Sequence, residues 1–165
     1  MKNIPVGKKK FAVVDDEDAE TLLKYTWWLT SSGYAEGHLR VGKKGMKHGV
    51  CRTGPKVLMH RLLLDATKGH DVDHVNMDLL DNRRANLRLA TRSQNMANSG
   101  SRVGSTSQFK GVYWSTAEKS WMAALTFNGK VIWRKKFKEE VDAATAYNFK
   151  ALEHFGEFAY MNKPL

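Results

Sequence analysis

The sequence contains almost no cysteine. Cys51 is the single cysteine among 165 residues, which excludes an internal disulfide framework and a four-cysteine zinc site. A chain without disulfides fits a reducing, intracellular compartment. We therefore expect the protein to work in the cytoplasm.

Long apolar stretches are also missing. No run approaches the ~20 apolar residues that a membrane-spanning helix requires. The start of the chain, MKNIPVGKKK followed by FAVV, is basic, but its apolar part is too short for a signal peptide. These features predict a soluble protein with no membrane partner.

Acidic residues are in the minority. The chain carries 27 Lys and Arg against 17 Asp and Glu, a formal charge of +10. Such an excess indicates a polyanionic partner, because cations that neutralise phosphates release counterions. A basic protein that is merely soluble is the alternative. The 42% of hydrophobic residues can fill the core of one ordinary domain or of two small ones.

The N-terminal part predicts strands and turns around one short helix. Strands are predicted at residues 11–14, 27–29 and 34–35, and the acidic run at 15–18 favours a helix that continues to about Tyr25. The Gly- and Lys-rich segment 41–54 is predicted to be a mobile hairpin loop, whose cations either contact phosphates or are simply solvated.

Residues 57–64 form the most apolar run of the chain, VLMHRLLL. Leu, Met and Arg favour a helix there, although the pattern alone does not exclude a strand. His60 lies on this element. It points either into the core, as most histidines on apolar elements do, or towards a bound cation beside the active site.

The segment from Asp73 to Asn95 carries the chemistry. Asp73 and His74 end a predicted strand, residues 87–90 form a second strand, and Thr91 with Gln94 makes a capping box that starts a helix. A carboxylate and an amide oxygen suit a hard divalent cation. Histidine suits a general base near neutral pH. Neighbouring strand residues face opposite sides, so this arrangement requires the strand to end or bend here.

The C-terminal part has a different pattern. Residues 99–108 are rich in Ser and Gly and predict a linker. Three strands follow, at 111–114, 120–127 and 130–134, and the Asn-Gly pair between the last two is a strong hairpin signal. Residues 139–154 predict a helix with an acidic start. This pattern indicates three antiparallel strands packed on one helix.

The central motifs resemble those of the His-Asn-His (HNH) endonucleases of the phage and homing type. The resemblance is carried by residues 60–62, 73–74, 81–83, 86–88 and by Asn95. It implies that His74 activates the attacking water, that Asp73 and Asn95 bind one metal ion, and that Asn86 braces the loop. Asn95 stands in place of the family's final histidine, which implies Mg²⁺ or Mn²⁺ rather than zinc.

The C-terminal motifs resemble the Apetala-2/ethylene-response-factor (ERF) DNA-binding domain. The resemblance is carried by residues 109–112, 121–124, 143–147 and 155–162. It implies that the sheet enters the major groove of double-stranded DNA. The residues at or near the implied contact positions, or able to hold phosphates, are Lys110, Tyr113, Trp121, Trp133, Arg134 and Lys136. Core packing is the alternative for the tryptophans.

Four arginines flank the predicted metal site: Arg83, Arg84, Arg88 and Arg92. A run of charges is usually a solvated face, but next to a scissile phosphate these side chains are expected to clamp the DNA.

The sequence as a whole predicts an α+β protein. A ββα-metal HNH core with a strand-rich N-terminal extension occupies residues 1–98, a flexible linker 99–108, and a three-stranded antiparallel sheet packed on one helix 109–165. We expect a monomeric endonuclease that cuts DNA with one Mg²⁺ or Mn²⁺ ion in a phage-infected or bacterial cell. A DNA-binding regulator that does not cut, and an RNA nuclease, are the alternatives.

Overall fold

The computed structural model describes residues 1–40 and 54–163, so the predicted hairpin loop lies, apart from Gly54, outside the described residues. The chain divides into two compact units, Met1–Leu89 and a second one that begins at Ala90. The predicted nuclease domain, residues 1–98, runs past this division, and its boundaries stay a prediction. Among the described residues, no helix is long and apolar enough to span a bilayer.

The first unit is built on a five-stranded sheet in the order β2-β1-β3-β4-β5. All neighbours in it are antiparallel except β1 and β3. Two short helices and a small two-stranded sheet, β6-β7, complete it. Its elements are β1 Lys2–Val6, β2 Lys10–Val14, α1 Asp16–Leu22, β3 Tyr25–Leu29, β4 Ala35–Leu39, β5 Val57–Leu58, α2 Met59–Leu63, β6 Asp71–His74 and β7 Leu87–Ala90, the last residue of β7 opening the second unit.

The predicted elements of this unit are present with two corrections. Helix α1 ends at Leu22 instead of near Tyr25, because the sequence Tyr-Thr-Trp-Trp prefers a strand and opens β3. Strand β1 was not predicted, yet it lies between β2 and β3 in the sheet. The apolar run at residues 57–64 contains the predicted helix, preceded by two strand residues.

Apolar residues from both helices and the sheet form the core of the first unit, among them Leu22, Trp27 and Met59. Trp27 donates its indole N–H to the carbonyl of Leu22 at 2.9 Å. Gly37 pairs with Trp27 across the sheet, and a Cβ at Gly37 would lie 2.5 Å from the indole ring. The ring therefore packs flat on β4 only because residue 37 has no side chain.

The second unit begins with α3 Arg92–Ala97. The predicted capping box is present: Thr91 Oγ1 accepts from Gln94 N–H, and Gln94 Oε1 accepts from Thr91 N–H. A three-stranded antiparallel sheet in the order β10-β9-β8 and a long helix follow. Their bounds are β8 Val112–Ser115, β9 Ser120–Phe127, β10 Lys130–Phe137 and α4 Glu140–Phe155.

Small side chains let α4 lie close to this sheet. Ala143, Ala144 and Ala151 are buried in the core of the second unit, together with Tyr147. Gly111 has a φ of +73°, and a Cβ there would lie 2.1 Å from the Tyr147 ring. Glycine is therefore required at the start of β8 for two reasons, the backbone conformation and the contact with helix α4.

Candidate active site

Asp73 and His74 lie side by side at the end of β6. Both side chains are buried, with 4% and 3% of their surface exposed. The strand ends at His74, and the chain turns at once, because Met77 N–H donates to the His74 carbonyl at 2.9 Å and Met77 has a φ of 62°. The strand end that the sequence required at this point is thus present.

Asn86 ties the loop that follows His74 to the strand that comes after it. Its Oδ1 accepts from the backbone N–H of Asn76 at 3.0 Å. Its Nδ2 donates to the carbonyl of Asp81 at 2.7 Å. Asn86 is buried, and of these two hydrogen bonds the one to the Asp81 carbonyl is buried and the one from Asn76 partly buried, so water competes little for them.

Asp81 organises the same loop through its side chain. Its carboxylate accepts from Asn76 Nδ2 at 2.8 Å and from Arg83 Nε at 2.7 Å. The hydrogen bond from Arg83 is the main reason why the pKa of Asp81 lies below its ordinary value. An aspartate at position 76 would face Asp81 with a like charge, so the asparagine found here serves as a hydrogen-bond donor.

The N-terminal sheet is hydrogen-bonded to the same loop through its backbone. Val13 on β2 donates its N–H to the carbonyl of Leu80 and accepts from the N–H of Asn82, both at 2.8 Å. The Asn82 side chain is completely buried. The strand-rich extension therefore supports the active-site loop directly, which no motif in the sequence indicated.

His74 belongs to a cluster of three rings. The His60 ring meets it edge-on at 5.2 Å between centroids, and Tyr34 stacks obliquely on His60 at 4.9 Å. His60 is 5% exposed, and its Nδ1 finds no hydrogen-bond partner among the described residues. His60 is thus a buried histidine in contact with His74, and a role beside a bound cation stays a prediction.

Burial sets the protonation of both histidines. It is the main cause that lowers the pKa of His74, opposed by the side chain of Asn82, whose oxygen accepts from the protonated ring, and by the charge of Asp73. Burial likewise lowers the pKa of His60 to about 3, and the nearby His74 adds to this effect. Both rings are therefore neutral at neutral pH, the form in which His74 can accept a proton.

Three of the four flanking arginines bind carboxylates of their own unit. Arg83 pairs with Asp81, Arg84 Nη2 lies 2.8 Å from Asp18 Oδ1, and Arg88 Nη2 lies 2.7 Å from Asp73 Oδ2. Phosphate clamping by Arg83, Arg84, Arg88 and Arg92 stays a prediction, and these ion pairs would have to rearrange for it. The ion pair of Arg84 also explains the acidic run at the start of α1, which the sequence had suggested only as a favourable helix start.

The donor set fits a hard divalent ion with few protein ligands. Within the part of the chain that the structure describes, no group of three or more His, Cys, Asp or Glu side chains could hold a metal. Mg²⁺ commonly takes only one or two protein oxygens and fills its other positions with water and phosphate. Asp73 is predicted to supply one such oxygen. Asn95 lies half-buried on α3 of the second unit, and its joint action with Asp73 stays a prediction.

In the second unit, cross-strand pairs show which sheet residues share a face. Tyr113 pairs with Met122, which pairs with Lys136, and Ala124 pairs with Arg134. We call Tyr113, Arg134 and Lys136 the basic face. It lies on the side of the sheet opposite α4, because the buried residues that contact α4, such as Ala123, alternate with these along the strands.

Trp121 and Trp133 lie on the other side of the sheet. Both are partly buried and pack against the core between sheet and helix, and Trp121 meets Trp114 edge-on at 5.3 Å. Lys110 donates from Nζ to the carbonyls of Met96 and Ala97 at the end of α3, and burial lowers its pKa to about 8. These positions favour the core-packing alternative for the two tryptophans, while DNA contact by Trp121, Trp133 and Lys110 stays a prediction.

Comparison with known proteins agrees with this geometry. The sequence model of the HNH endonuclease family matches residues 59–97. The chain is 33% identical over 159 residues to a protein of Acanthamoeba polyphaga mimivirus named "Uncharacterized HNH endonuclease L560", an alignment that covers 95% of this chain and 77% of the relative. It is 35% identical over 63 residues to "Protein 3.8" of Escherichia phage T7, covering 38% of this chain and 52% of that protein. No solved structure matches significantly.

The buried Asp-His pair and its braced loop, together with these matches, define the class of the protein as a nuclease. The chain belongs to the HNH endonuclease family. It is therefore an enzyme, and the alternative of a DNA-binding regulator that does not cut is set aside. Dependence on a divalent metal and action on DNA are general properties of this family.

Proposed function

We propose that this endonuclease hydrolyses a phosphodiester bond of double-stranded DNA with His74 as general base and one Mg²⁺ or Mn²⁺ ion. The observation that supports this most directly is the burial of Asp73 and His74 together at a strand end, next to a loop braced by Asn86. Such a site holds a base and a metal-binding carboxylate in fixed positions.

Each residue has a distinct role in the proposed reaction. The neutral imidazole of His74 accepts the proton of the attacking water. Asp73 and Asn95 hold the ion, and Asn86 keeps the loop in shape. When bound, the ion stabilises the negative charge that develops on the phosphate and on the departing 3′ oxygen. The products are a 5′-phosphate and a 3′-hydroxyl end.

The second unit is proposed to hold the DNA as an Apetala-2/ERF-like domain, acting through its basic face. Arg134 and Lys136 carry exposed cations on the same side of the sheet as Tyr113, and such cations bind phosphates independently of sequence. Arg92 is exposed at the start of α3, and we propose it, with Arg83, Arg84 and Arg88, as a phosphate contact. We propose that a monomer cuts.

A cleavage assay tests the proposal. Supercoiled plasmid incubated with the protein should be nicked or linearised with Mg²⁺ and left intact with EDTA. The His74→Ala variant should bind DNA normally but lose cleavage by a factor on the order of 10³. His70→Ala is the matched control, because His70 lies in the same unit with its ring exposed. If His74→Ala cuts as fast as His70→Ala, His74 is not the base.

A further inference from the structure

Arg88 binds the carboxylate that is proposed to hold the metal ion. Its Nε lies 2.8 Å and its Nη2 2.7 Å from the same atom, Asp73 Oδ2. Both side chains are well buried, with 14% and 5% of their side-chain surface exposed. The pair lies at the junction of the two strands of the small sheet, since Asp73 is on β6 and Arg88 on β7.

A cation in this place stabilises the charge of Asp73, as a metal ion would do more strongly. The guanidinium compensates the buried negative charge, which would otherwise be costly. A divalent ion that approaches the same carboxylate meets this positive charge at short range, with little water to screen the repulsion. The ion and the guanidinium therefore compete for Asp73.

We propose that Arg88 is a positioning residue that holds Asp73 in the metal-free enzyme and leaves Oδ2 when the ion binds. This inference rests on the proposed function, in which Asp73 is a metal ligand. In this scheme Arg88 lowers the metal affinity of the free protein. The released guanidinium carries a fork of N–H donors that matches a phosphate oxygen pair, so the role expected for Arg88 at DNA is reached only after metal has bound.

Metal binding without DNA tests this directly. The full chain is titrated with Mn²⁺, and free Mn²⁺ is measured by electron paramagnetic resonance. We expect Arg88→Gln to bind Mn²⁺ about tenfold more tightly than the wild type, because the competing charge is gone. Arg84→Gln is the matched control: it removes an ion pair of the same kind, with Asp18, and should leave the affinity unchanged. Asp73→Asn should lose the site.

The outcomes separate the inference from the proposed function. Equal or weaker Mn²⁺ binding by a folded Arg88→Gln would overturn the role of Arg88. Absence of Mn²⁺ binding by wild type and Arg88→Gln alike would instead refute Asp73 as a metal ligand.

A measurement on the wild type keeps the inference testable if Arg88→Gln fails to fold. The Nε–H signal of Arg88, assigned by its loss in Arg88→Lys, is followed by nuclear magnetic resonance as Mg²⁺ is added. We expect the signal to shift and its exchange with water to accelerate as the site fills. A signal that stays unchanged while other residues near Asp73 respond would contradict the release of Arg88.

Discussion

The two units bury very different kinds of side chain. The first encloses Asp18, His60, Asp73, His74, Asp81, Asn82 and Asn86, and three of its arginines, Arg83, Arg84 and Arg88, pair with carboxylates. The second buries neutral polar residues, Asn98, Ser107 and Asn162, beside a core of small, aliphatic and aromatic side chains, and it carries cations on the exposed strand β10. Buried polar groups are expensive unless they are hydrogen-bonded. The first unit thus keeps costly groups where chemistry needs them, whereas the second keeps its charges accessible to a polyanion.

The largest expected loss of stability comes from a glycine that packs against a neighbouring ring in the second unit. Gly111→Ala should destabilise the second unit by about 3 kcal/mol or more, because the added methyl group meets the Tyr147 ring and the positive φ is unfavourable. Gly129→Ala is the control, with a similar φ of +76° and open space around it. Denaturant unfolding followed by tryptophan fluorescence measures both. Similar losses in the two variants would show that the contact with Tyr147 relaxes easily.

The next largest effect is expected at Asn86, whose side chain holds the active-site loop of the first unit. Asn86→Ala should cost about 2 kcal/mol of stability, because the carbonyl of Asp81 loses a buried partner and the N–H of Asn76 loses a partly buried one. Cleavage should fall further than DNA affinity does. If this variant lost DNA binding but cut saturating DNA at the normal rate, the assignment of catalysis to the first unit and of DNA binding to the second would be wrong.

Acid should weaken the first unit through its buried histidines. The pKa of His60 is lowered from 6.5 to about 3, so between these values the unfolded chain binds a proton that the folded one does not. Stability therefore falls as the pH drops from 6.5, by up to about 1.4 kcal/mol per pH unit for this group. His60→Phe should reduce the difference in urea unfolding between pH 7 and pH 5, whereas His70→Ala should not. The lowered pKa of His74 acts in the same direction.

Sequence reasoning found what depends on local pattern. The strand end at His74, the capping box at Thr91 and the Asn-Gly hairpin of the C-terminal sheet all follow from residues close together in the chain. The contacts of Val13 with the loop near Asn82 did not emerge, because they join segments about 70 residues apart that share no motif.

The partners of charged side chains were equally hidden from the sequence. Arginines beside an Asp-His pair suggested phosphate contacts, since a list of residues does not show that Asp18 and Asp73 are near enough to bind them. The side of the sheet to which Trp121 and Trp133 belong likewise depends on where α4 packs. These residues show that patterns predict elements, whereas the use of each side chain is decided by long-range packing.

The smallest effect distinguishes the two faces of the C-terminal sheet. Arg134→Ala and Lys136→Ala should each weaken DNA binding modestly and reduce the slope of log affinity against log salt concentration by about one, because each removes one phosphate contact. Lys135→Ala is the matched control. Lys135 lies between them on the same strand but pairs with the core residue Ala123 on the side of α4, so its loss should leave the slope nearly unchanged although the net charge falls equally. Filter binding on one duplex over a range of salt concentrations gives all three slopes. Equal slopes for the three variants would mean that the sheet attracts DNA through its total charge, and the basic face would then have no special part in holding it.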